Sequence, residues 1–183
     1  MGYITVSLYD YIDDSTDIQE LLKTFSCPLN LEVESFLKEK AIDFERKHFA
    51  RTYLVFSDTF QLPSLLGYFT VALKHLAIPI DISKSFRKTI TGYIDREEAI
   101  TYLIGQLGRN CAVSERISGS DLMTLAIAVI YDVYLKIGGR IILVECENQE
   151  KLRIFYENQG FRLLCSNIDN NLLQYVSTVK SLH

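Results

Sequence analysis

The stretch "RNCAVSERISGSDLM", residues 109–123, lies between an apolar segment of strand character and one of long-helix character. It sets Arg116, Ser118, Gly119 and Ser120 at the entry to a helix, where first-turn amides lack intrahelical acceptors and the helix dipole favours negative charge. An anion such as a diphosphate fits that entry. The same letters also fit an ordinary capped start, with Ser118 and Asp121 as an S-x-x-D capping box, and the two readings are compatible. No G-K-[ST] and no G-x-G-x-x-G follows, so neither a P-loop nor a dinucleotide fingerprint is present.

Working outward, "TYLIGQLG" reads as the strand before the loop and "SGSDLMTLAIAVIYDVYLKIGG" as the helix after it, stopped by Gly138 and Gly139. "RIILVECE" has the unbroken apolar run of a strand buried on both faces. "NQEKLRIFYENQG" is a short helix with Asn148 expected at its N-cap and Asn158 and Gly160 closing it. "FRLLC" and "LLQYVSTV" end the chain as strands. Before the loop, "YITVSLY" is a strand and "DSTDIQELLKTF" and "LNLEVESFLKEKAIDFERKHFA" are helices. In the second helix Leu31, Val33, Phe36, Leu37, Ala41, Phe44 and His48 recur at helical steps. "RTYLVFS" and the unusually long "SLLGYFTVALKHLAI", joined through "DTFQLP", form a hairpin. Residues 79–99 read as an irregular loop with one helical turn. The order predicts a single α/β domain over residues 1–183: a mixed, mostly antiparallel sheet of about six or seven strands with helices on both faces.

Composition bounds the function. The chain has 183 residues, 48% hydrophobic and 23% charged, the make-up of a folded soluble domain. A formal charge of -4 gives no global drive toward nucleic acid or an anionic membrane. Four scattered cysteines and three scattered histidines carry no metal-ligand or disulfide spacing, so no metal and reduced thiols are expected. The N-terminus has no basic stretch of a secretory signal, and the longest apolar run, interrupted by Thr124 and Asp132, is too short for a bilayer. The expected compartment is the cytoplasm. A serine hydrolase lacks its G-x-S-x-G elbow. Arg46, Lys47, Arg51, Lys84, Arg87 and Lys88 read most simply as solvated faces.

A second constellation is "ECENQEKLRIFYENQGF". Leu152, Phe155 and Tyr156 share a helical face and fit a core role. Tyr156, however, lies on a helix that starts where a buried strand ends, the place at which open α/β sheets bind ligands. Near neutral pH a phenol there keeps its proton and can donate it.

Taken in order, "IGQLG", "RISGSD", an amphipathic helix, "GGRIILVECENQ" and "FYENQGF" resemble the cofactor core of the GNAT superfamily, the acyl-CoA-dependent N-acetyltransferases. The core resemblance covers Leu103 to Leu164, and the two N-terminal helices and hairpin resemble those of the same superfamily. It implies a splayed pair of parallel strands with the pantetheine of acetyl-CoA between them. The family's Q/R-x-x-G-x-G/A diphosphate loop maps to Arg116, Ile117, Ser118, Gly119, Ser120 and Asp121, where Asp121 departs from the small sixth residue. Leu107, Gly108 and Arg109 map to the strand that offers backbone groups to the thioester and pantetheine, Asn148 to the Asn after the next strand, and Tyr156 to the general acid that protonates the departing thiolate. Glu145, Glu147, Glu97, Glu98 or a water supplies the base.

The resemblance implies direct transfer of acetyl from acetyl-CoA to a primary amine of a small molecule or peptide, by an enzyme that can also be a homodimer. The "FSCPLNLEVESFLKEKA" segment before the hairpin is also similar to the tRNA-acetylating toxins of this superfamily. That makes the amine of an aminoacyl-tRNA the alternative acceptor, with an antitoxin as partner. A CoA-binding protein without catalysis is the third reading.

Overall fold

Tyr3 and the β-branched Ile4, Thr5 and Val6 form strand β1 (Tyr3–Ser7), which pairs antiparallel with β2 (Arg51–Ser57), Tyr3 opposite Ser57. The computed structural model describes residues 2–12, 15–58 and 64–182, without the side chains of Ser15 and Thr16. Most of the "DTFQLP" connection, and His183, lie outside the described residues. β2 pairs antiparallel with β3 (Leu65–Ala77), which has the expected unusual length of 13 residues. Strand β4 (Glu98–Arg109) follows, then helix α5 (Gly119–Ile137), the fifth α-helix of the chain, and strands β5 (Ile141–Cys146), β6 (Arg162–Ser166) and β7 (Leu173–Thr178). The seven strands lie in the order β1-β2-β3-β4-β5-β7-β6. β4 and β5 are parallel, whereas the β1–β2, β2–β3, β5–β7 and β6–β7 pairs are antiparallel.

The chain forms two compact units: residues 1–72 with 106–126, and residues 73–105 with 127–183. In the first, α1 (Ser15–Lys23), α2 (Leu31–Ser35), a π turn (Phe36–Lys40) and α3 (Ala41–Arg46) bring Leu22, Phe25, Val33, Leu37 and Ala41 onto Leu54, Leu65 and Tyr68. Phe25 meets Tyr68 edge-on at 5.2 Å between ring centroids, and the Tyr68 hydroxyl donates to the Val33 carbonyl at 2.6 Å, which satisfies a buried polar group. Two expectations for this helical run need correction. Leu31 is exposed, and the helix stops at Arg46 because His48 turns left-handed at φ 59°. Arg51 is bound to the wholly buried Glu45 at 2.9 Å and stacks over Tyr9, so it is no free solvated cation.

The second unit contains the largest departure from the sequence reading. The supposed irregular loop holds a full helix, α4 (Lys84–Thr91), opened by the Ser83 hydroxyl accepting from Phe86 N–H at 3.2 Å and closed at Gly92, φ 88°. Ile90 joins Leu76, Ile78, Ile141, Leu143, Leu164 and Val176 in that unit's core. Arg87 is buried, its guanidinium donating to the carbonyls of Arg96 and Pro79, both at 2.7 Å, and Ile80 at 3.1 Å. It braces the turn rather than facing solvent. Helix α6 (Glu150–Asn158) and α7 (Val179–Leu182) complete the element list. No helix is long and apolar enough to cross a membrane among the described residues.

Candidate functional site

In the first unit the loop of residues 110–118 is organised by a side chain that the sequence did not single out. Asn110, 2% exposed, directly follows β4. Its Oδ1 accepts from the Ser26 and Ala112 amides, both at 3.0 Å, and its Nδ2 donates to the Leu65 carbonyl at 2.9 Å. Its backbone N–H reaches the Leu66 carbonyl at 2.8 Å, and Arg116 donates to its carbonyl at 3.0 Å. Asn110 therefore has its polar atoms paired, and it fixes where the chain leaves the strand. Periodicity cannot find such a residue, because a buried amide is specified by partners distant in sequence.

Leu107, Gly108 and Arg109 lie on β4 beyond its ladder with β5, which pairs Thr101–Ile104 with Ile141–Val144. Gly108 is buried, and a Cβ there would stand 2.5 Å from Val33 Cγ1 and 2.8 Å from Tyr68 Cε1. Close packing under the helices thus explains the glycine without any ligand.

At the loop's end Ile117 is buried at 1% exposure and anchors the segment, while Arg116 and Ser118 are exposed. α5 begins at Gly119. The Ser118 hydroxyl accepts from Asp121 N–H at 2.9 Å, the first half of the expected capping box. The second half is there too, since the Ser118 backbone bonds the Asp121 carboxylate, which also accepts from the Ser118 hydroxyl at 2.8 Å and the Tyr3 hydroxyl at 3.1 Å. These bonds hold the Asp121 carboxyl below its ordinary range and draw its charge back toward Ser118 and Tyr3. Ser120 lies in the first turn and accepts from the Thr124 hydroxyl at 2.9 Å. The exposed Arg116 and the helix start at Gly119 thus lie beside two carboxylates, the tethered Asp121 and Glu115.

In the second unit β5 ends at Cys146 and α6 begins at Glu150. The expected Asn148 cap is corrected: Gln149 is the N-cap, without a capping side-chain bond, and Asn148 is exposed in the connection. Tyr156 is half-buried among rings, 5.1 Å from Phe155, 6.1 Å from Phe161 and 6.0 Å from Tyr175 by centroid. Burial, and secondarily Cys146, push its phenol well above the ordinary value. Burial and the nearby Glu147 push the Cys146 thiol up to about 11. Tyr156 is accordingly a protonated phenol across the neutral range, able to donate. Among the described residues no group of histidines, cysteines and carboxylates could hold a metal.

No family model matches the sequence, and no curated protein matches it. Solved structures do. The chain is similar to AtaT complexed with acetyl-methionyl-tRNAfMet, with TM-score 0.73 and 23% identity over 99% of this chain and 97% of that one. It is similar to a tyrosine-to-phenylalanine mutant of KacT, with TM-score 0.73 and 23% identity over 100% and 98%. A third match is a tyrosine-to-phenylalanine mutant of the AtaT toxin bound to acetyl-CoA and the C-terminus of the antitoxin AtaR, with TM-score 0.70 and 19% identity over 100% and 96%. With a parallel β4–β5 pair inside a seven-stranded mixed sheet, and matches that extend over the whole chain, this protein has the fold of the GNAT superfamily.

Proposed function

We propose that the chain is an acetyl-CoA-dependent N-acetyltransferase whose acceptor is the amine of an aminoacyl-tRNA. The observation that carries this reading is the whole-length likeness to AtaT complexed with acetyl-methionyl-tRNAfMet, which covers 99% of this chain and 97% of that one. It favours the tRNA acceptor over a small-molecule or peptide amine. The likeness to an AtaT complex with AtaR and acetyl-CoA supports acetyl-CoA as co-substrate and an antitoxin as partner.

Acetyl-CoA supplies an acetyl group activated as a thioester. In this reading Arg116, Ile117, Ser118, Gly119, Ser120 and Asp121 form the diphosphate loop, and the backbone of Leu107, Gly108 and Arg109 holds the pantetheine arm and polarises the carbonyl. Asn148 takes the remaining polar contact. Tyr156 keeps its proton at neutral pH and gives it to the leaving sulfur. Arg51 and Arg87 are committed to internal partners, so contact with RNA phosphates falls to exposed cations such as Arg46, Lys84 and Lys88.

Incubation with acetyl-labelled acetyl-CoA and total aminoacyl-tRNA tests the proposal. RNA-bound label that leaves with the amino acid on mild ester hydrolysis is expected, together with growth arrest on expression. Label on small amines alone would return the acceptor to that class. No transfer to any amine, with acetyl-CoA still raising the melting temperature, would leave a CoA-binding protein without catalysis.

A further inference from the structure

Four carboxylates compete on sequence for the role of base, and their surroundings separate them. Glu98 is 71% exposed and pairs with His75 at 2.9 Å. Glu97 is exposed, and Glu147, also exposed, accepts from the Gln149 side chain. Glu145 is different: its side chain is 11% exposed, one pair before the end of the β5 ladder with β7, where it faces Gln174. Lys74 from β3 donates to its Oε2 at 2.6 Å, and Gln174 from β7 donates to its Oε1 at 2.8 Å. Asn167, beyond β6, adds a side-chain hydrogen bond, and Cys165 of β6 donates to Gln174 at 3.2 Å. Burial alone would raise the Glu145 carboxyl, but the bonds from Lys74, Gln174 and Asn167 hold it below its ordinary range.

Side chains alternate along a strand, so Glu145 and the next residue, Cys146, point to opposite faces of β5. Cys146 shares its face with Val144, whose β7 partner Tyr175 carries the ring 6.0 Å from Tyr156. The end of β5 thus carries a proton donor on one face and an oriented carboxylate on the other. Gln174 and Asn167 are neutral and orient the carboxylate without cancelling its charge. Lys74 is the one cation on it among the described contacts, and that side chain is 33% exposed. Exchanging this ammonium for another keeps the carboxylate paired and so avoids the cost of leaving a buried charge uncompensated.

We propose that Glu145 receives the acceptor's ammonium group and takes its proton, and that the Lys74 ammonium holds this seat when no acceptor is bound. The inference rests on the acetyl-transfer reading above. The ammonium gives one proton to Glu145, and the freed nitrogen lone pair forms the C–N bond at the thioester carbon. The C–S bond breaks, its electron pair stays on sulfur, and Tyr156 protonates that sulfur. The second amine proton returns to Tyr156 through water, and Glu145 releases its proton to solvent.

The test is steady-state acetylation of total aminoacyl-tRNA by wild type, Glu145→Gln, Glu145→Asp and Lys74→Met, with acetyl-CoA affinity measured alongside. Glu145→Gln should lower kcat/KM for the acceptor by about 10- to 100-fold with acetyl-CoA affinity unchanged, and Glu145→Asp should recover part of it. Lys74→Met, which empties the seat but keeps the carboxylate, should lower the acceptor KM by roughly two- to tenfold. A purely structural ion pair predicts losses of the same sign in Lys74→Met and Glu145→Gln, and that result would overturn the inference, as would an unchanged kcat/KM in Glu145→Gln. Should Glu145→Gln fail to fold, the opposite-sign comparison of Lys74→Met with Glu145→Asp decides. A wild type that moves no acetyl group removes the functional reading and this inference with it; an active wild type with the wrong variant signs removes only the inference.

Discussion

The loop at residues 110–121 and the segment from Glu145 to Phe161 achieve local order in opposite ways. The loop is a chain of hydrogen bonds: Asn110 ties it to Ser26 and Leu65, and Ser118 and Tyr3 tie down Asp121. Much of it is exposed, and in the proposed reading its useful groups are backbone amides. Around Tyr156 the segment is ordered by packing among Phe155, Phe161 and Tyr175, and in the proposed reading its proton donor is this phenol, whose proton affinity burial has raised. A binding region can rely on many small, redundant polar contacts. A proton donor needs one group in one protonation state, and burial supplies that.

If this contrast holds, damage to the second region should appear in turnover and damage to the first in stability and cofactor affinity. The largest effect is expected for Tyr156→Phe, which keeps the ring contacts and removes the hydroxyl. Turnover should fall by roughly ten- to a thousandfold while the melting temperature and acetyl-CoA affinity change little. Wild-type turnover would make Tyr156 a packing residue and erase the contrast.

Asn110→Ala strikes the loop's anchor. It leaves the Ser26 and Ala112 amides and the Leu65 carbonyl without their partner, so urea unfolding should show a loss of about 2–4 kcal/mol. A loss below about 0.5 kcal/mol, within the scatter of surface changes, would mean that water replaces those bonds.

A smaller effect is expected at Asp121. The Asn variant removes the negative charge near the diphosphate loop, so acetyl-CoA binding should tighten by about two- to tenfold at low salt and lose most of that gain at high salt. The helix should lose no more than about 1 kcal/mol. Calorimetry at two salt concentrations checks both the sign and the screening. Weaker binding in Asp121→Asn would show that the tether to Tyr3 and Ser118 shapes the loop for its ligand, and would make the two regions less different than described.

The smallest effect is an expected constancy. Because burial raises the Tyr156 phenol above its ordinary value of 10.0, its acid form persists as pH rises through the range in which a solvated tyrosine begins to ionise. The turnover of acceptor-saturated enzyme should therefore show no alkaline decline from this group between about pH 7.5 and 9.5. A decline that disappears in Tyr156→Phe would show the phenol solvated during catalysis.

Patterns carried by near neighbours were legible in the sequence. The hairpin with its long second strand, the helix stopped by Gly138 and Gly139, and the apolar β5 follow from side-chain periodicity and turn residues, which act over a few positions. So did the family's fold, through the order of its motifs. Helix α4 was also written locally, by Ser83 and Gly92, but its polar face hid an apolar contact made by Ile90 with strands far away in the chain. Similarly, Asn148 looks like a cap by residue type, yet the chain path leaving β5 gives the position to Gln149.

Read alone, the sequence determined the strands, most helices and the candidate residues, because backbone propensity and hydrophobic alternation are local properties. The tertiary structure decided which polar groups are spent and which are poised. Arg87 and Asn110 became internal braces, Asp121 was tied to a tyrosine 118 residues away, and Glu145 was set apart from Glu97, Glu98 and Glu147 by partners on β3 and β7. The charge and hydrogen-bonding capacity of a side chain are fixed by its type, whereas its proton affinity and its partners depend on burial and on neighbours brought in from distant parts of the chain.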